Sequence, residues 1–97
     1  MKKTFLVAHP KIKPPRMFEA FKHEANKYIK RERGKALPEG YDYWGFDCRF
    51  GADEDSSEVI HLSEISRSIS WAESEGLESF YLEILAKPCK REKTEET

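Results

Sequence analysis

The alternating stretch Tyr43-Trp-Gly-Phe-Asp-Cys-Arg-Phe50 constrains this chain more than any other feature. Trp44, Phe46, Cys48 and Phe50 share one face of an extended segment, while Tyr43, Gly45, Asp47 and Arg49 share the other. Side chains of a strand alternate between faces, so this pattern predicts a strand with one side in a core and one side polar. The rest of the chain has to cover that apolar face or extend the sheet. With 97 residues, there is enough chain for one modest core and too little for two. We therefore expect one domain over residues 1–88, with a charged, disordered tail over 89–97.

Upstream, Lys3 to His9 reads as a first strand that Pro10 ends, because proline cannot donate to a ladder. Phe5 and Val7 on one side and Leu6 and Ala8 on the other make both of its faces apolar, which is the pattern of a central strand. After the extended connector through Pro14 and Pro15, Met17, Phe18, Phe21, Ala25, Tyr28 and Ile29 recur at spacings of three and four. They predict a helix from about Arg16 to Arg33, stopped by Gly34.

Downstream, an acidic turn over residues 51–57 leads to a short return strand at Glu58 to Leu62. Ser63 is then placed to cap a second helix, with Glu64 in its first turn. That helix buries Leu62, Ile65, Ile69 and Ala72, carries Trp71 at its margin and stops at Gly76. Ser79 to Lys87 forms the last strand, with Phe80, Leu82, Ile84 and Ala86 inward, Leu85 an outward exception, and Pro88 as its end. The order matches a ferredoxin-like βαββαβ sandwich, an α+β fold with two helices on one face of an antiparallel sheet. If Glu58 to Leu62 is only a loop, a three-stranded βαβαβ layer replaces it.

Several stretches together resemble a family of short bacterial proteins of unknown function. They are Lys2 to Phe5, His9 to Lys13, Lys30 to Arg33, Leu37 to Gly40, Trp44 to Gly51 and Leu77 to Lys87, and the resemblance covers nearly the whole chain. It implies a stand-alone cytoplasmic bacterial protein and brings no activity, cofactor or catalytic residue with it.

Charge is segregated along the chain. Residues 1–35 carry eleven Lys or Arg against three acids, and residues 36–86 carry two against twelve, although the net charge is only −1. The basic group Lys11, Lys13, Arg16, Lys22, Lys27, Lys30, Arg31 and Arg33 suits an anionic partner, either nucleic acid or an acidic protein surface. A solvated helix face explains the same residues. The outward sheet residues Tyr43, Asp47, Arg49, Tyr81 and Glu83 form a second candidate surface, with the two tyrosines as base-stacking platforms. That face or a sheet edge could also serve self-association, making the protein a homodimeric structural or regulatory subunit.

A third reading is a small enzyme or metal-binding protein using Asp47, Cys48, Arg49 and His61, the histidine serving as base to the thiol. Cys48 falls on the core face, where a thiol is inert packing, and both cysteines are expected to be reduced. Cys48, His61, Cys89 and His9 lack the paired spacing of a zinc site. Asp53, Asp55, Ser57 and Glu64 follow part of a calcium-loop pattern, but Glu58 stands where that loop turns on glycine. No glycine-rich phosphate loop or acid–base pair is present, so the sequence points away from catalysis, and no cofactor is expected. The apolar run Phe5 to Ala8 is too short for a signal peptide, and no stretch could span a membrane, so the expectation is a soluble cytoplasmic protein.

Overall fold

The computed structural model describes residues 1–7, 11 and 13–91. In chain order the elements are β1 (Lys2–Leu6), α1 (Pro14–Arg33), β2 (Tyr43–Gly51), β3 (Glu58–Ile60), a 3-10 turn (Leu62–Glu64), α2 (Ile65–Ser74) and β4 (Ser79–Cys89). Every strand pair is antiparallel, and the sheet order is β1-β4-β2-β3. The protein is thus α+β, with a four-stranded antiparallel sheet and two helices. The element order is that of the ferredoxin-like plan, but this strand order does not establish the ferredoxin-like arrangement. Since β3 pairs through Cys48↔Ile60, Arg49↔Val59 and Phe50↔Glu58, the three-stranded alternative falls.

β1 lies at an edge of the sheet, not at its centre, because its one neighbour is β4. Only Phe5 of β1 is buried, and Leu6 is 64% exposed, so apolar character on both sides of the strand was no guide to its place. The strand closes at Leu6, and the predicted continuation through Ala8 to Pro10 lies outside the described residues.

Both helices cover the face that carries Phe5, Cys48, Phe50, Phe80, Leu82 and Ile84. Phe18, Ala25 and Ile29 of α1 and Ile65, Ile69 and Ala72 of α2 complete the same core. Phe80 is its centre. The Phe5 ring stacks on it at 5.0 Å, and Phe18, Phe21 and Phe50 surround it at 5.4–6.0 Å between centroids. Such offset and edge contacts suit the quadrupoles of the rings.

Local signals set the element ends. α1 starts at Pro14, two residues before the expected Arg16, with prolines in its first turn where a missing N–H costs nothing. α2 is followed by Gly76 at φ +66°, the left-handed conformation that a residue with a Cβ avoids. The capping residue is His61 rather than Ser63. His61 Nδ1 accepts the Ser63 N–H at 3.1 Å, and the Glu64 carboxylate accepts the His61 N–H at 3.0 Å, a reciprocal box over the 3-10 turn that leads into α2.

β4 runs on through Pro88 to Cys89, two residues beyond the expected end. Ile84 exchanges backbone bonds with Met1 on the β1 side, at 2.7 and 2.6 Å. Backbone direction alternates along a strand, so Pro88 directs its missing N–H to that same side, beyond the end of β1, and no ladder bond to β2 is lost. Cys89 is therefore a strand residue and not the start of the tail; residues 92–97 lie outside the described part.

Candidate anion-binding groove

The basic residues of the sequence do not form one surface. Lys13 and Arg16 stand at the start of α1 with Lys11 nearby, and Lys27, Lys30 and Arg31 stand near its end. At 1.5 Å per residue, Lys13 and Arg31 are about 27 Å apart along the helix. Two more serve packing. Lys22 donates to Ser70 Oγ of α2 at 2.6 Å, and the Arg33 guanidinium lies over the Phe46 ring at 5.5 Å.

Lys27, Lys30 and Arg31 face a groove of about 760 Å³ between α1 and the start of β1, lined also by Met1, Lys2, Lys3, Glu24 and Tyr28. The helical spacing of three and four places the α1 residues on one side. On the other side, the edge position of β1 brings Lys2 and Lys3 beside them. Lys3, Lys27, Lys30 and Arg31 thus meet one carboxylate, Glu24, which pairs with Lys3 at 2.7 Å, while Lys2 lines the groove from a strand position on the outer face, opposite Glu83 in the ladder. Arg31 is held over the Tyr28 ring at 5.4 Å and lies 3.9 Å from Glu32. Among the described residues, Lys2, Lys27 and Lys30 form no ion pair. Two ammonium groups of this concavity, those of Lys27 and Lys30, have no ion-pair partner among the described residues, which concentrates positive potential there, and focusing by the groove walls strengthens it.

Lys2 and Lys3 belong to a strand outside the helical repeat of α1, so sequence spacing does not join them to Lys27, Lys30 and Arg31. Only the edge placement of β1 unites them with the helix.

The outer sheet face is divided in another way. Arg49, opposite Glu83 in the ladder, donates from Nε to Ser57 Oγ at 3.1 Å and from its terminal nitrogen to Ser57 O at 2.6 Å. This ties the acidic turn to β2. Gly51 permits the close approach, since a Cβ there would lie 2.6 Å from Ser57 Cα. Tyr81 is only 4% exposed and donates its hydroxyl to Glu83 Oε1 at 2.7 Å, so its ring is no open stacking platform. Asp47 pairs with Lys87 at 2.8 Å. Tyr43 is exposed, but it sits at the far end of β2 from Gly51, the ladder partner of Tyr81, about 26 Å away by strand rise. The two tyrosines cannot flank one base.

The residues considered for thiol or metal chemistry have other tasks. Cys48 is buried at 1% exposure, and burial, helped by Asp47, pushes its thiol up to about 11. It stays a thiol at neutral pH, not a nucleophilic thiolate. His61 Nδ1 and Glu64 form the capping box. Asp53 Oδ1 accepts the Ser56 N–H at 2.8 Å, and bonds from the Ser56 backbone and hydroxyl hold its carboxyl below the usual range. Among the described residues, no three His, Cys, Asp or Glu side chains converge as metal ligands; His9 lies outside them. Nor is any described helix long and apolar enough to cross a membrane.

No curated protein and no solved structure matches the chain. Residues 1–95 match the model of a family of unknown function, DUF6172, and the chain belongs to that family.

Proposed function

We propose that this DUF6172 member is a small, non-enzymatic cytoplasmic module that holds an anionic partner in the groove between β1 and α1. The observation that supports this is the meeting of Lys3, Lys27, Lys30 and Arg31 around a single carboxylate, with Lys2 at the groove's margin. Charges so arranged neutralise phosphates without reading sequence, and the partner chemistry that suits them best is a nucleic-acid backbone. Arg31 supplies a planar fork for a phosphate, while the lysines act as mobile point charges. The cations at the start of α1 lengthen the footprint beyond the groove.

The test is binding of a fluorescent, short mixed-sequence RNA, measured over a series of salt concentrations. With four or five phosphates neutralised, log K falls against log salt with a slope of about −3. Replacing Lys27, Lys30 and Arg31 together by Gln lowers the slope by about 2 and weakens binding at least tenfold. Affinity that ignores salt, or that survives the triple replacement, sinks the reading. Preference for a poly-glutamate probe over RNA at equal salt moves the partner from nucleic acid to an acidic protein.

A further inference from the structure

Among the described residues, one stretch of the sheet has no strand paired to its edge, with Arg33 of α1 lying over the Phe46 ring beside it. β4 pairs with β2 along all of Tyr43–Gly51, but β3 covers only Cys48, Arg49 and Phe50 on the other side. Tyr43 to Asp47 therefore has a free edge. The ladder fixes which backbone groups face it. Even-numbered residues of β4 bond toward β1, as Ile84 does with Met1, so odd-numbered ones bond toward β2. Their register partners Tyr43, Gly45 and Asp47 are turned to β4, which leaves Trp44 and Phe46 presenting N–H and C=O outward.

The remaining edges carry protection. β1 has Lys2 and Lys3, the free part of β4 has Pro88 without an N–H, and β3 is three residues long and opens with Glu58. Proteins use lysine, proline and shortness to discourage strand addition. The segment Tyr43-Trp-Gly-Phe-Asp47 has no lysine or proline and faces a groove of about 350 Å³ whose far wall includes Val59, His61 and Leu62.

We infer that this edge joins a second copy of the same chain, β2 against β2 in antiparallel register, on a two-fold axis through Gly45. The edge is self-complementary. Trp44 N–H meets Phe46 C=O of the second copy, Phe46 N–H of that copy meets Trp44 C=O, and symmetry repeats both, so four bonds satisfy every outward group of the segment. Gly45 falls on the axis in a non-hydrogen-bonded pair, where backbones approach to about 4.5 Å and the lack of a side chain removes any collision. Trp44 then opposes Phe46 on the helix side, an aromatic cross-strand pair made twice, and Tyr43 opposes Asp47 on the outer side. The register also ends where it must. It would set Asp42 of one copy against Cys48 of the other, whose edge β3 already occupies, and β2 begins only at Tyr43. The product is a continuous sheet six strands wide, in which β3 of each copy lies in line with β2 of the other.

Light scattering on the full chain from micromolar to millimolar concentration reads the outcome, together with amide exchange at Trp44 and Phe46. The expected result is a concentration-dependent rise from the 11.4 kDa chain mass to twice that value, with both amides protected as the dimer forms. Tyr43→Asp sets like charges opposite each other at two places, and raises the dimer dissociation constant about tenfold. Tyr43→Lys, facing Asp47 of the second copy, keeps the constant at or below that of the native chain. Tyr43 is 45% exposed, so both variants keep the monomer fold, as circular dichroism checks. A chain that stays at 11.4 kDa throughout overturns the inference, as does a dimer whose Trp44 and Phe46 amides exchange freely or whose constant ignores Tyr43→Asp.

Discussion

Tyr81 shows how one residue on the polar side of a strand can be structural. Its phenol is shielded from water, and its hydroxyl proton is held by Glu83. Burial, followed by that bond and by the negative charges of Glu83 and Glu54, pushes its ionisation up to about 12, with Arg49 opposing. The direction of the stability effect follows from linkage. An unfolded tyrosine loses its proton near pH 10, whereas the folded one retains it to about 12. Through that window the unfolded state binds fewer protons, so stability falls as pH rises, while below pH 10 Tyr81 adds no pH dependence. Urea denaturation of the native chain and of Tyr81→Phe over pH 8–12 isolates this effect from the lysines. The native chain should lose stability relative to the variant between pH 10 and 12; a constant difference would show that the phenol ionises freely. The sequence revealed the outward parity of Tyr81 but not its burial, because alternation reports direction and cannot report what folds over a face.

At the scale of elements, the strongest periodic patterns carried into the structure with shifts of only a residue or two. α1, β2 and α2 each have an apolar repeat that a single face can bury. Element ends were less legible where two residues competed for one task. Ser63 is a better cap by type, yet the chain uses His61, whose ring nitrogen reaches the Ser63 N–H while Glu64 reaches back. Glu64 stands three positions after His61, which is the spacing of a capping box, but histidine is not among its usual openers. His61→Ala should lower stability by about 1 kcal/mol, and His61→Asn should recover most of it. Urea midpoints of the three chains measure this, and an unchanged midpoint in His61→Ala would leave the box with no energetic role. Pro88 misled for a related reason: proline bars a strand only where its N–H is needed, and that depends on where β1 ends.

Over the whole molecule, no described ion pair joins the basic segment to the acidic middle, although Lys2 stands opposite Glu83 in the β1–β4 ladder. The ion pairs Lys3–Glu24, Arg31–Glu32 and Lys35–Glu32 join basic and acidic groups within residues 1–35, and Lys87–Asp47 joins β4 to β2. No described ion pair links α1 to the acidic middle of the chain; Lys22 reaches α2 through the hydroxyl of Ser70. Charge polarity was legible in the sequence, but its resolution was not, since the strand order decides which charges meet. Placing β1 at the edge gathers lysines from both ends of the basic segment into one groove. Stability, by contrast, rests on the apolar cluster around Phe80, and the exposed pairs contribute only about 0–1 kcal/mol each. Salt and polyanions should therefore act differently on melting. Sodium chloride screens the exposed pairs and the repulsion within the groove alike, so raising it from low to moderate concentration should move Tm by no more than about 3 °C. A short polyphosphate, bound only by the folded groove, should raise Tm in proportion to the logarithm of its concentration. That rise should vanish when Lys27, Lys30 and Arg31 are replaced together by Gln, whereas the small response to sodium chloride should remain. A large fall of Tm in salt would mean that long-range attraction between the charged segments holds the fold. An equal polyphosphate effect on native and substituted chains would remove the groove as its site.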